Sequence, residues 1–250
     1  MASRSRHLTA AAAGAVLALA LAIAFSLGGG RVTDVSARSG GGDEAPVVKI
    51  TAPANNSAHQ WNSLVNYSVV VTYQGKSTQY QEIPSNEVLI KATYVADLSK
   101  RVGETAAPPV PAGLLEIARS KCVGCHEFKA TAMGPSFAAI AARYPDNQAS
   151  IDTLSRYIRE GSTGVWGQGN MPAHPEMTNE QLHAMALWIL KEAADPNVNY
   201  YSGTEGAFKM EASATPGPNA GLILTASYTA GPADRRQDQR GQDTVVVRGK

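Results

Sequence analysis

Both cysteines of this 250-residue chain fall within one five-residue stretch, Cys122-Val123-Gly124-Cys125-His126. None is left for a disulfide elsewhere, so every other part of the fold must be held by burial of its own apolar residues. Cys-x-x-Cys-His is the spacing of covalent c-type haem attachment. Two thiols one helical turn apart can each add to a vinyl group on the same porphyrin edge. The adjacent histidine then supplies an axial nitrogen to the iron. A thioredoxin-like redox pair would need a βαβ setting, which the surrounding sequence lacks. A zinc site would need a second ligand pair, and a plain disulfide would leave His126 without a role. The cofactor implied is one covalent haem c with its iron, bound through Cys122, Cys125 and His126.

The amino terminus points to export. Arg4, Arg6 and His7 precede a mostly apolar run over residues 9–27. This is a basic region followed by a hydrophobic one, longer than the usual 7–15 residues of a signal peptide and close to the roughly 20 that span a bilayer. Small-x-small cleavage sites are weak, at Ala22-Ile23-Ala24 or Val35-Ser36-Ala37. Residues 1–28 are therefore a cleaved signal peptide or an N-terminal membrane anchor, with residues 9–27 as the membrane segment in the second case. Either places the remainder in the periplasm or another extracytoplasmic space, where c-type haem is attached in bacteria. A net charge of +1 leaves no basic footprint for nucleic acid.

The texture then changes three times. Residues 29–45 are Gly/Ser-rich without hydrophobic period and read as a flexible tether. Residues 46–100 are β-rich, with strands expected over 47–50, 65–73 and 88–95. Residues 101–111 hold Pro108, Pro109 and Pro111 and read as a semi-rigid linker. Residues 112–195 are helical, and Thr178-Asn179-Glu180-Gln181 is a capping box opening a helix whose Leu182, Met185, Ala186 and Ile189 share a face. Residues 203–250 return to β, with strands expected over 206–211, 222–228 and 244–248 and a polar mobile loop over 231–241. Neither β stretch alone has enough strands for a stable core, whereas together they reach an immunoglobulin-like count. The fold class expected is an all-α domain inserted in, or flanked by, an antiparallel β-sandwich, with residues 46–100 and 203–250 as its two halves. Two separate small β modules are the alternative.

A second axial ligand is sought in Gly169-Asn170-Met171-Pro172-Ala173-His174-Pro175. Prolines around Met171 favour an extended loop that can present a thioether at a fixed distance, 45 residues beyond His126. His174 is the serious rival. Met133 is too close to the attachment motif to cross to the opposite face, Met177 sits by a helix cap, and Met185 and Met210 read as core or strand residues.

Residues 112–195 resemble the small bacterial monohaem class I cytochromes c. The resemblance rests on Cys122-Val123-Gly124-Cys125-His126, Met133-Gly134-Pro135, Gly161-Ser162-Thr163-Gly164-Val165-Trp166-Gly167 and Asn170-Met171-Pro172, and covers about a third of the chain. It implies that the carbonyl of Pro135 accepts a hydrogen bond from the axial histidine. It also implies that Trp166 reaches a haem propionate, that Arg143 lies near a propionate, and that Asn170 bonds the methionine sulfur. Trp188, on the last helix, is expected to pack against the first. The β stretches are similar, more weakly, to the PKD or immunoglobulin-like modules of exported bacterial proteins.

The function expected is carriage of single electrons between redox partners, the donor or acceptor being a periplasmic dehydrogenase or a membrane respiratory complex. No enzymatic constellation stands out. Two other readings stand beside it: a docking subunit whose β-sandwich binds partner or glycan, and a haem enzyme or gas sensor in which Met171 detaches.

Overall fold

The computed structural model describes residues 44–101, 108–231 and 239–250. The expected leader or anchor lies outside the described residues, as do most of the tether and parts of the proline linker and the 231–241 loop. Among the described residues no helix is long and apolar enough to cross a membrane.

Five strands precede the helical block: β1 (Val47–Ala52), β2 (Ser57–His59), β3 (Leu64–Tyr73), β4 (Lys76–Ser77) and β5 (Leu89–Val95). Helices α1 (Ala112–Arg119), α2 (Phe137–Arg143), α3 (Gln148–Glu160) and α4 (Asn179–Glu192) follow, with a two-stranded hairpin of β6 (Ser162–Thr163) and β7 (Asn170–Met171) before α4. Four strands close the chain: β8 (Val198–Ser202), β9 (Glu205–Lys209), β10 (Gly221–Thr229) and β11 (Arg240–Gly249). Strand β8 lies ahead of the expected restart of β structure at residue 203.

Strands from the two ends of the chain pair with each other in both large sheets. In the first sheet β3 lies between β1 on one side and β4 and β9 on the other. The second has the order β2-β11-β10-β5-β8, antiparallel except for β2 against β11. The two β stretches thus share one core instead of forming two modules. Alternation along the strands builds that core: Val65, Tyr67, Val69 and Val71 of β3 face inward, as do Ile90, Ala92 and Tyr94 of β5 and Leu222, Leu224 and Ala226 of β10. Fully buried Phe208 and Met210 complete it, Met210 being the core residue anticipated.

The helical block has its own core, centred on the α1/α4 crossing. A Cβ on Gly113 would fall 2.0 Å from the Ala184 carbonyl oxygen and 2.8 Å from Trp188 Cβ, so only glycine lets these helices approach this closely. Glu116, buried in the crossing, accepts a 2.8 Å bond from Gln181 Nε2. Gln181 also closes the capping box with Thr178, and Leu182, Met185, Ala186 and Ile189 are buried on one face of α4.

The two cores meet on the second sheet. In β5, Ile90 faces the sandwich core while Leu89 belongs to the helical one. In β8, Tyr201 packs on the sandwich and Tyr200 on the helices. Asn86 Nδ2 donates to the Ala118 carbonyl (2.8 Å), and Arg119 donates to the Thr229 carbonyl (2.7 Å) and lies 3.7 Å from Glu87.

Candidate functional site

Helix α1 delivers the chain to the cysteine pair through Lys121, which turns with φ +59°. Cys122–Gly124 then forms a single tight helical turn, and Cys125 N–H (3.1 Å) and His126 N–H (2.9 Å) both donate to the Cys122 carbonyl. The two cysteines form no disulfide with each other, and both line one cavity. Burial pushes the Cys122 thiol up to about 11.

His126 is held from three directions. Its Nδ1 donates to the Pro135 carbonyl at 2.7 Å; since a carbonyl only accepts, Nδ1 carries the proton and Nε2 is the free nitrogen. Phe137 lies against the ring at 5.5 Å between centroids, tilted by 30°. Gly134 passes so close that an added Cβ would fall 2.5 Å from His126 Cε1. Gly134 N–H also donates to the Cys125 carbonyl at 2.8 Å, binding this loop back onto the motif.

Met171 enters from the other loop. It sits in β7, opposite Ser162 of β6, and Thr163 lies opposite Asn170. At the open base of the hairpin Gly161, with φ +78°, lies so close that a Cβ there would fall 2.7 Å from the Met171 carbonyl oxygen. The Thr163 hydroxyl donates to Asn170 Oδ1 at 2.8 Å, so that oxygen is spent on the hairpin and the carboxamide nitrogen is the donor left to Asn170. Thr163 and Gly161 were not marked by sequence reasoning as holders of Met171; the glycine at the end of α3 was the available signal.

The cavity between these loops has a volume of about 500 Å³. Cys122, Cys125, His126, Pro135, Trp166 and Met171 all line it, and its inner wall is apolar, from Phe137, Ile140, Leu154, Ile158 and Ile189. Met133 lines it too but is 78% exposed, at the mouth. His174 does not line it; its Nδ1 meets Glu176 at 3.2 Å and its backbone N–H donates to the Ile158 carbonyl. Met177 is buried in the helical core away from the cavity. Arg143 does not line it either. Its guanidinium stacks on Trp166 at 4.5 Å and donates to the Val165 carbonyl at 2.8 Å, so it clamps the Trp166 loop to α2. Trp188 packs against α1 and the aromatic residues behind His126 and is likewise absent from the lining.

The donor set fits an iron porphyrin. An imidazole with its outer nitrogen already engaged, a thioether on a separate loop and two thiols in one turn all border a slot walled by hydrocarbon. Among the described residues no group of three or more His, Cys, Asp or Glu is placed to hold a metal ion by itself.

Comparison with known proteins agrees with this chemistry. The family model for cytochrome c matches residues 116–192. Cytochrome c-552 of Nitrosomonas europaea is 36% identical over 72 residues, which is 29% of this chain and 70% of that protein. Cytochrome c-551 of Allochromatium vinosum is 34% identical over 86 residues, 34% of this chain and 92% of that protein. The crystal structure of wild-type Nitrosomonas europaea cytochrome c552 aligns with a TM-score of 0.29 at 34% identity, covering 30% of this chain and 94% of that one.

Proposed function

This chain belongs to the cytochrome c family through residues 116–192 and carries one covalently attached haem c, and from that premise we propose that it ferries single electrons between exported redox partners with His126 and Met171 as axial ligands. The observation that carries the reading is the shared cavity: His126, Met171 and both thiols border it, and His174 does not. Bound there, haem supplies a one-electron Fe(III)/Fe(II) couple. Cys122 and Cys125 form the thioethers. The bond from Nδ1 to Pro135 holds His126 in the tautomer whose Nε2 can ligate, and raises its basicity. Met171 is held by the β6/β7 hairpin, so both axial groups come from anchored backbone and little moves on electron transfer. An imidazole and a thioether both supplied by the chain would leave the iron no site for a substrate, which supports carriage over turnover. Trp166 borders the cavity and is the residue suited to a propionate. Arg143 supports it by stacking on its ring.

The β strands are read as an immunoglobulin-like sandwich of the PKD kind, interrupted between β5 and β8 by the haem domain; the pairing of those two strands supports this. The basic and apolar amino-terminal sequence supports export. Partner proteins of dehydrogenase or respiratory type would meet the haem domain from the cavity mouth, since among the described residues none of the sandwich lines it.

Absorption spectra of oxidised and reduced protein from a haem-maturation-competent host test the ligation. A weak charge-transfer band at the red end of the ferric spectrum, lost in Met171→Ala, is the expected result. A spectrum unchanged by that substitution refutes it and turns attention to an open iron.

A further inference from the structure

The aromatic residues behind His126 do not end within the helical block. Phe137, on the histidine ring, meets Phe128 at 5.4 Å and Trp188 at 6.1 Å. Phe128 and Trp188 in turn meet Tyr200 at 5.5 and 5.6 Å. Tyr200 comes from β8 of the sandwich, where it is paired with Lys91 of β5 and that lysine's ammonium lies 5.9 Å from its ring centroid. The strand places Tyr201 on the opposite face, against Tyr67, so β8 is anchored from behind as well.

Resting on the reading that His126 is an axial ligand, we infer that Tyr200 is a positioning residue for His126, supplied by the sandwich and acting through Phe128, Trp188 and Phe137. Phe128, Phe137 and Trp188 are only 5%, 3% and 3% exposed. In a close-packed cluster of this kind, removing one ring shifts its neighbours or leaves a void. The far end of the cluster bears on a ring held by its 2.7 Å bond to Pro135 together with Phe137 and Gly134, and that bond governs the ligand's basicity. The sandwich holds the same segment at a second point: Asn86 bonds the Ala118 carbonyl just ahead of Cys122, and Arg119 bonds the Thr229 carbonyl. The haem domain is thereby indexed to the second sheet both behind the histidine and at the entry to the attachment motif. The β-sandwich is part of what tunes the haem.

The test uses the full haem-loaded chain. Wild type should first show paramagnetically shifted His126 proton resonances; their absence overturns the ligation reading, and this inference with it. Tyr200→Ala should then shift both the midpoint potential and those resonances. Tyr200→Phe should restore both, because the ring and not the hydroxyl makes the contacts. Tyr80→Ala, on a tyrosine 77% exposed, should move neither. If Tyr200→Ala does not load haem, Tyr200→Leu keeps apolar bulk without the ring and is read the same way. A Tyr200 variant that melts earlier but retains the wild-type potential and His126 resonances overturns the positioning role while leaving ligation by His126 intact.

Discussion

Gly134→Ala is the substitution whose consequence follows most directly from distances. The backbone of Gly134 is not in the left-handed region, so alanine is sterically acceptable to the chain itself and the cost lies in what its methyl meets. That methyl would sit 2.5 Å from Cε1, 2.8 Å from Nδ1 and 3.1 Å from Nε2 of His126. Carbon contacts are favourable at about 3.5–4.0 Å, so ring and loop must separate by roughly 1 Å. The bond from Nδ1 to Pro135 begins at 2.7 Å; opened by that much it passes beyond hydrogen-bonding range. Overpacking costs about 1–3 kcal/mol and the lost bond about 0.5–1.5 kcal/mol, for a total of about 1.5–4.5 kcal/mol. With the haem domain and the sandwich unfolding as one unit of roughly 150–250 residues, that corresponds to a fall in Tm of roughly 3–18 °C. The assay is thermal unfolding of the haem-loaded protein followed by circular dichroism, with the midpoint potential measured alongside. The potential should move because the histidine's partner is lost. A Gly134→Ala protein with wild-type Tm and potential would refute the reasoning, since it would mean that the loop yields without disturbing the ring.

Two further predictions concern the sandwich. Asp243 of β11 accepts from the Ile50 N–H at 2.9 Å and from the Thr244 N–H at 2.9 Å, and lies 3.2 Å from Lys49 Nζ, so it occupies the open edge of β1. Burial raises its carboxyl, but these bonds outweigh that and hold it below the ordinary carboxylate value. A depressed folded pKa stabilises above the unfolded value and is lost as pH falls through the folded one. Asp243→Ala should therefore cost about 1–3 kcal/mol at neutral pH by urea unfolding, with the difference shrinking below about pH 4; a pH-independent difference would count against the account. Deleting residues 203–250 removes β9, β10 and β11, and with them Phe208, Leu224 and Val247 from the core. The remaining residues 46–100 should lose amide dispersion in NMR spectra, and a dispersed spectrum would show that the first β stretch folds alone.

Much of the helical block was legible because its signals are local. Attachment chemistry depends on two thiols and an imidazole within five residues, and no distant contact can change that spacing. The capping box at Thr178 and the apolar face of α4 likewise depend on neighbours three and four positions away. In β3 the buried and exposed residues alternate as the sequence suggests. β10 is different: Thr225, Ser227 and Thr229 are buried on the face opposite its core residues, so its environment could not be read from alternation alone. Strand β8 escaped notice for a related reason, because Tyr200 and Tyr201 are both half-buried, each against a different core. The stacking of Arg143 on Trp166 and its bond to the Val165 carbonyl had no local signal, because they join α2 to a loop well beyond it in the chain.

The sequence by itself determined the cofactor chemistry, the order of β, helical and β segments, and the two loops from which axial ligands could come, because each is written in spacing and short-range pattern. Tertiary structure alone decided which strands pair across more than a hundred intervening residues, that Gly134 must clear the histidine ring, and that a tyrosine from the sandwich closes the cluster behind it. Those outcomes depend on close approach between segments far apart in the chain. They are selected by how whole surfaces pack and not by any local preference of the residues involved.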